Sequence, residues 1–204
     1  MSTSTSPSTS IDSESCGLRE RKKQRTRQAI HESAMRLVTE RGLAGVTVEE
    51  ICDDAGVSPR TFFNYFPTKG NAALGLAAAA VSDQARAAFT DAEGPLVADL
   101  CALVARTLEL PTDRGSMKAL VQARPEMVPT MLQWMADARV AVHRVACERT
   151  DAATASTAVT LVMAAVIETA HRADADAADA PDASDAFTSR VRAVVREMGV
   201  LAAS

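Results

Sequence analysis

Apolar positions recur every three to four residues along most of the chain, with few turn residues between them, a helical pattern from end to end. Ile30, Ala34, Leu37 and Val38 make one stripe, which predicts a first helix over 18–41. Gly42 ends it, and Leu43 and Val46 cover its exit. Val48, Ile51, Cys52 and Ala55 give a short second helix its buried face. Thr47 is its N-cap, and Glu50, three residues on, completes a capping box. Ala55-Gly56-Val57-Ser58-Pro59 then reads as a tight turn. Gly56 can take positive φ, Ser58 can cap, and Pro59 suits the first helical position. A third short helix follows through Tyr65, with Phe62 and Phe66 facing inward, and Pro67 stops it. Thr68 caps a fourth helix predicted to reach about residue 90.

Gly94-Pro95 marks the next boundary. Further helices are predicted over 96–110, 114–123, 125–150 (bent near Pro129), 153–173 and 186–198, and an Asp-rich solvated loop over 174–185. No run alternates β-branched residues. The expected fold class is all-α, with about nine helices. An amino-terminal three-helix head occupies 18–68, a larger helical domain 69–204, and 1–17 is expected to be a disordered tail.

Apolar residues make up 47% of the 204, which excludes a disordered chain. The Ser/Thr-rich start has no apolar core for a signal peptide, and no window offers the roughly 18 uninterrupted apolar residues of a membrane helix. Cys16, Cys52, Cys101 and Cys147 lack CxxC spacing, and three sit on apolar helix faces as small hydrophobes of a reducing compartment. A cytoplasmic protein with no membrane partner is expected.

The net charge of −4 argues against nucleic acid, but its distribution reverses the inference. Between Arg19 and Lys69, ten Lys/Arg stand against seven Asp/Glu; from Gly70 onward, twelve stand against seventeen. Arg19, Arg21, Lys22, Lys23, Arg25 and Arg27 oppose only Glu20. A basic amino end on an acidic body suits contact with phosphates at one end. Basic side chains at a helix start oppose its dipole, a mismatch that a phosphate partner relieves, for instance as an arm along the minor groove.

Two short helices joined by a glycine turn, the second with polar residues outward, form a helix-turn-helix pattern. With Phe62 and Phe66 as anchors, Arg60, Thr61, Phe63, Asn64 and Tyr65 are left for the outside. Arg reads guanine bidentately, Asn reads adenine, and Thr or Phe touches a thymine methyl. Ser58, Thr47 and Lys69 begin helices, where hydroxyl, amide and ammonium groups suit phosphate. The bland alternative is a hairpin packed for structure alone.

The segment TVEEICDDAGVSPRTFFNYFPTKGNAAL, after a first helix containing RQAIHESAMRL, resembles the signature of TetR-family transcriptional regulators over about residues 25–75. That resemblance implies a DNA-binding transcription factor, a dimeric repressor of a pseudo-palindromic operator released by a small effector. It places Thr47 and Lys69 at backbone-contacting positions, and Arg60, Thr61, Asn64 and Tyr65 on the recognition surface. Two departures stand out. Phe63 replaces a frequent tyrosine whose hydroxyl binds phosphate, so either Tyr65 supplies a hydroxyl nearby or Phe63 packs on a thymine methyl. Gly70 stands where an acidic residue often follows the lysine.

The second domain resembles nothing as specific. In this family such domains dimerise and bind effectors. The expected seam is Ala158, Val159, Val162, Ala165 and Val166 with Phe187, Val191, Val194 and Val195; the alternative is ordinary core. Met117, Val121, Met131, Trp134, Met135 and Met163, with Met127, would line an adaptable apolar cavity for an effector of unknown identity, unless they are core filler. The fourth helix, through Leu76 and Val81, is the expected pivot between effector and DNA. Glu168-x-x-His171 has di-iron spacing in only one copy, and His143 adds little, so no metal and no cofactor are expected. No GxSxG, HExxH, GxxxxGK[ST] or GxGxxG motif occurs, which disfavours an enzyme. An adaptor without DNA binding, or a DNA binder without effector, stands as the alternative on the same fold.

Overall fold

The stripe Ile30, Ala34 and Val38, spaced at i+4, is fully buried and forms the inner face of a long helix α1, Ile11–Arg41. This computed structural model describes residues 11–108, 114–173 and 183–204 and divides into two compact units after Gly75. In the first unit α1 is followed by α2 (Val48–Ala55), α3 (Pro59–Tyr65) and α4 (Lys69–Leu74). Both α2 and α4 pack on α1, and Val46, Ile51, Phe62, Phe66 and Leu74 close the core with no exposed surface. Burying Phe62 and Phe66 contributes about 2–3 kcal/mol each.

Helix α1 starts earlier than the sequence suggests. Of the expected tail, 1–10 lies outside the described residues and 11–17 is already helical. Gly17 is the one glycine in this stretch, which contains no proline. A continuous helix carrying Arg19–Arg27 also replaces the expected minor-groove arm, since a helix about 10 Å across does not enter a groove about 6 Å wide.

The predicted fourth helix is two. Gly75 adopts φ 70° and closes α4, residues 76–82 are not helical, and Ser82 caps a new helix. The first unit therefore runs past residue 68, with α4 packed on α1.

The second unit contains α5 (Asp83–Thr90), α6 (Leu96–Thr107), α7 (Arg114–Ala123), a 3-10 turn (Pro125–Met127), α8 (Val128–Ala146), α9 (Ala152–Ala173) and α10 (Ala183–Ala203). Ten α-helices thus stand among the described residues. Pro129 does not bend a long helix. It sits in the first turn of α8, where its missing N–H leaves no intrahelical bond unmade. The expected Asp-rich loop falls mostly on 174–182, outside the described residues.

Helix α9 packs on α6, α8 and α10. It is long and apolar enough to cross a membrane by length and composition, with mean hydropathy 1.5 over Ala152–Arg172, yet one side of it is core. The expected dimer seam belongs to that core. Val159, Val162, Ala165 and Val191 are fully buried within one chain, Ala158, Val166, Phe187 and Val194 nearly so, and Val195 alone of the expected seam is half-buried. Neighbouring helices of the same chain already cover the buried side chains, so they are not free to meet a partner.

Arg149 ties this unit together across long stretches of chain. Its guanidinium donates to Asp99 Oδ2 at 2.8 Å, to the Phe89 carbonyl at 3.1 Å and to the Gly94 carbonyl at 3.0 Å, and it lies 4.8 Å from the Phe89 ring centroid. Cys52 and Cys101 are buried small hydrophobes, and burial pushes both thiols up. Cys147 is exposed where α8 ends, against the expectation of a buried face.

Candidate nucleic-acid interface

Two glycine-free helix starts and one glycine turn fix the geometry of α2 and α3. The Thr47 hydroxyl accepts from the Glu50 amide at 3.2 Å, while Glu50 Oε2 accepts from the Thr47 amide at 2.8 Å. Arg41 donates to the other Glu50 oxygen at 2.9 Å. With the Arg41 guanidinium and the Thr47 amide both on it, the Glu50 carboxyl is lowered to about 2. At the far end Gly56 takes φ 66°, and the chain leaves at an angle that only a residue tolerant of the left-handed region holds without strain. Ser58 then caps α3, accepting from the Thr61 amide at 3.1 Å, with Pro59 at the first helical position.

Helix α3 is braced from behind. Phe62 and Phe66 are fully buried, with ring centroids 6.4 Å apart. Their spacing leaves Arg60, Phe63 and Asn64 exposed on the outward face. Thr61 and Tyr65 are half-buried at its edges, and the Thr61 hydroxyl is shared with Ser58 at 2.9 Å. The expected recognition residues therefore divide. Arg60, Phe63 and Asn64 are presented fully, Thr61 and Tyr65 only partly.

The flanking positions are also ordered. The Lys69 ammonium donates to the Val46 carbonyl at 2.6 Å, joining the start of α4 to the approach to α2. Thr47 and Ser58 are exposed, and so is Arg25. Arg27 is instead half-buried. It donates to the Gly75 carbonyl at 3.3 Å, and its guanidinium carbon lies 6.0 Å from the Phe66 ring centroid, so it holds α1 to the end of α4.

Three polar residues of α1, none of them singled out by the sequence pattern, support the site. His31 Nδ1 meets the Ala72 carbonyl at 2.8 Å in the interior, linking α1 to α4. Ser33 donates to Asp54 at 2.5 Å, and Arg36 meets the other Asp54 oxygen at 2.6 Å, linking α1 to α2. The Ser33 hydroxyl and the Arg36 guanidinium hold the Asp54 carboxyl below its ordinary range. The only signal in the sequence was their place beside the apolar stripe of α1, which names a face and not a partner.

The expected effector residues all lie in the second unit. Met117 and Val121 stand half-buried on α7, Met131 and Met135 half-buried on α8, Trp134 buried on α8 and Met163 buried on α9. The Trp134 indole donates to the Ala77 carbonyl at 2.7 Å. Met127 is fully buried in the 3-10 turn. Glu168 is bonded to Arg172 at 2.8 Å, and His171 is exposed. Among the described residues no group of three or more His, Cys, Asp or Glu is placed to hold a metal.

Residues 30–71 match the family model described as bacterial regulatory proteins, tetR family. The chain is also 41% identical over 68 residues to the HTH-type transcriptional regulator TcmR of Streptomyces glaucescens, a match taking in 33% of this chain and 30% of that relative. The matched stretch contains the whole constellation from the Thr47 capping box to Lys69. The amino-terminal segment carrying the helix-turn-helix is thus similar to the corresponding segment of bacterial regulatory proteins of the tetR family, and the chain spans less than a third of the length of the curated relative it matches.

Proposed function

We propose that this protein is a cytoplasmic, ligand-responsive repressor that binds a pseudo-palindromic operator as a homodimer. The observation that carries the reading is the outward face of α3. Arg60, Phe63 and Asn64 stand exposed on a helix whose other face is fixed by two fully buried phenylalanines. Arg60 and Asn64 read base edges in the major groove. Thr47, Ser58 and Lys69 hold phosphates, with Thr61 and Tyr65 at the edges of the same surface. The exposed cations Arg19, Arg21, Lys22, Lys23 and Arg25 add sequence-independent attraction along α1, while Arg27 steadies the head from within.

One recognition helix reads only a few base pairs, so a specific site needs two copies. The dimer face we favour is the outer side of α9. There Thr157, Thr160, Ala164, Ile167 and His171 recur at i+3 and i+4 and are all exposed, a stripe of mostly small or apolar side chains. Val200 and Leu201, about 70% exposed near the end of α10, extend the apolar surface available.

The effector reading rests on the methionines. Met117, Val121, Met131, Met135 and Met163, half-buried or buried on α7, α8 and α9 like the sole Trp134, would supply an adaptable apolar lining for a small, mainly hydrophobic molecule. Trp134 holds Ala77, three residues beyond the end of α4. A ligand that displaces the indole would free the segment following α4 and favour a dimer whose heads no longer match the half-sites. This segment, and not a continuous fourth helix, is the pivot we propose.

Selection of duplexes from a random-core pool by the purified protein tests the reading. Enrichment of one inverted repeat, with half-sites in successive major grooves, is the expected result. Recovery of single, unrepeated sites would remove the dimer. Failure to enrich any sequence would remove the repressor and favour an adaptor on the same fold.

A further inference from the structure

Among the described residues of the first unit, Phe63 is the large apolar side chain left exposed, at 57%. It stands between Arg60 and Asn64 on the outward face of α3, where every other consideration favours polar groups. Its ring is not loose. It meets the fully buried Phe62 edge to face, with centroids 5.3 Å apart and planes at 85°. The backbone of α3 and this contact hold the ring outward in a set direction.

A phenyl ring has no hydrogen-bond donor for a phosphate and none for a base edge. On the floor of the major groove one apolar group is offered, the C5 methyl of a pyrimidine. It belongs to thymine, or to cytosine after methylation. We infer that Phe63 is a specificity-determining residue that reads a pyrimidine C5 methyl in each half-site, flanked by the bases that Arg60 and Asn64 read. The inference rests on the proposal that α3 enters the major groove, and adds to it a discrimination that hydrogen bonding does not supply. Burial of one methyl between ring and groove corresponds to about fourfold in affinity per half-site. Because the ring is already oriented, little ordering offsets that gain.

The test uses the full-length protein and the inverted repeat enriched from a random-core pool. Each thymine is replaced in turn by deoxyuridine, which removes the methyl and nothing else. Where the enriched base beside Phe63 is cytosine, 5-methylcytosine is compared with cytosine at that position. Wild type is expected to lose about fourfold at one symmetry-related pair of thymines per half-site changed, or to gain about fourfold with 5-methylcytosine. Phe63→Ala should be indifferent to the same change and bind the methylated duplex about as weakly as wild type binds the methyl-free one. Two outcomes overturn the inference while leaving DNA binding intact. Either no methyl anywhere in the site affects wild type, or Phe63→Ala keeps the full methyl dependence. Enrichment of no sequence at all overturns it together with the repressor reading. The wild-type arm needs no variant, so a folding defect in Phe63→Ala does not blunt the result.

Discussion

The Lys69 ammonium and the Val46 carbonyl, 2.6 Å apart, connect the first residue of α4 to the residue before the Thr47 cap of α2. An ammonium has three donors, so this bond leaves capacity for a phosphate on the same nitrogen. Lys69→Met should then have two separable effects. It should weaken DNA binding nearly equally across sequences and flatten the salt dependence by about one phosphate contact per head. It should also lower stability by about 1 kcal/mol through the lost internal bond. Salt-titrated binding and urea denaturation read the two effects independently.

Glu50 gives the head an acid-sensitive joint. Its carboxyl is held at about 2 in the folded chain against an ordinary 4.5, by Arg41 and by the Thr47 amide. A lowered folded value means that the ionised form contributes stability above pH 4.5, and that this is lost as pH falls towards 2. Asp54, lowered by Ser33 and Arg36, acts in the same direction. Melting temperatures between pH 2 and 5 should fall more steeply for wild type than for Glu50→Gln. Parallel curves would mean that the capping box does not titrate as described.

The turn depends on one glycine. Nothing lies within 4 Å of a β-carbon built on Gly56, so space is not the obstacle; φ +66° is. Gly56→Ala should cost about 1–2 kcal/mol, the strain of holding alanine in the left-handed region. Chemical denaturation measures it. An unchanged midpoint would show that the turn relaxes freely, and DNA affinity would then be expected to suffer instead.

Arg149 is the corresponding joint of the second unit. Both it and Asp99 are largely buried, with side-chain exposures of 16% and 17%. Arg149→Ala removes three hydrogen bonds and leaves Asp99 without its partner, a loss of about 2–3 kcal/mol. Arg149→Lys should recover only part, because a point charge cannot reach Asp99 and two carbonyls in one fork. Denaturation of both variants should rank wild type above Lys above Ala.

What was legible in the sequence was local. Thr47 with Glu50, Gly56, Ser58-Pro59 and Phe62 with Phe66 lie within four residues of one another, and each performs in the structure as its spacing implies. The misread elements depended on distant partners or on weak local competition. The alanine run after Gly75 favours a continuing helix, yet the left-handed φ of Gly75 ends α4. The stripe on α9 and α10 is apolar in the sequence, but whether it faces a partner or its own chain depends on α6 and α8. Arg149 reaches residues 50 to 60 positions away, and Trp134 reaches Ala77 across 57, separations at which no periodicity identifies a partner.

The most direct test of the central claim is an anisotropy titration of the purified protein on a labelled duplex carrying its enriched site, against a scrambled duplex of equal length. Wild type is compared with Arg60→Ala/Asn64→Ala, both changes at exposed positions of α3 that leave the buried core intact. The account predicts that the double variant loses about 30-fold or more on the specific duplex and almost nothing on the scrambled one. Equal binding of the two proteins to both duplexes would contradict it, because the outward face of α3 would then carry no sequence information.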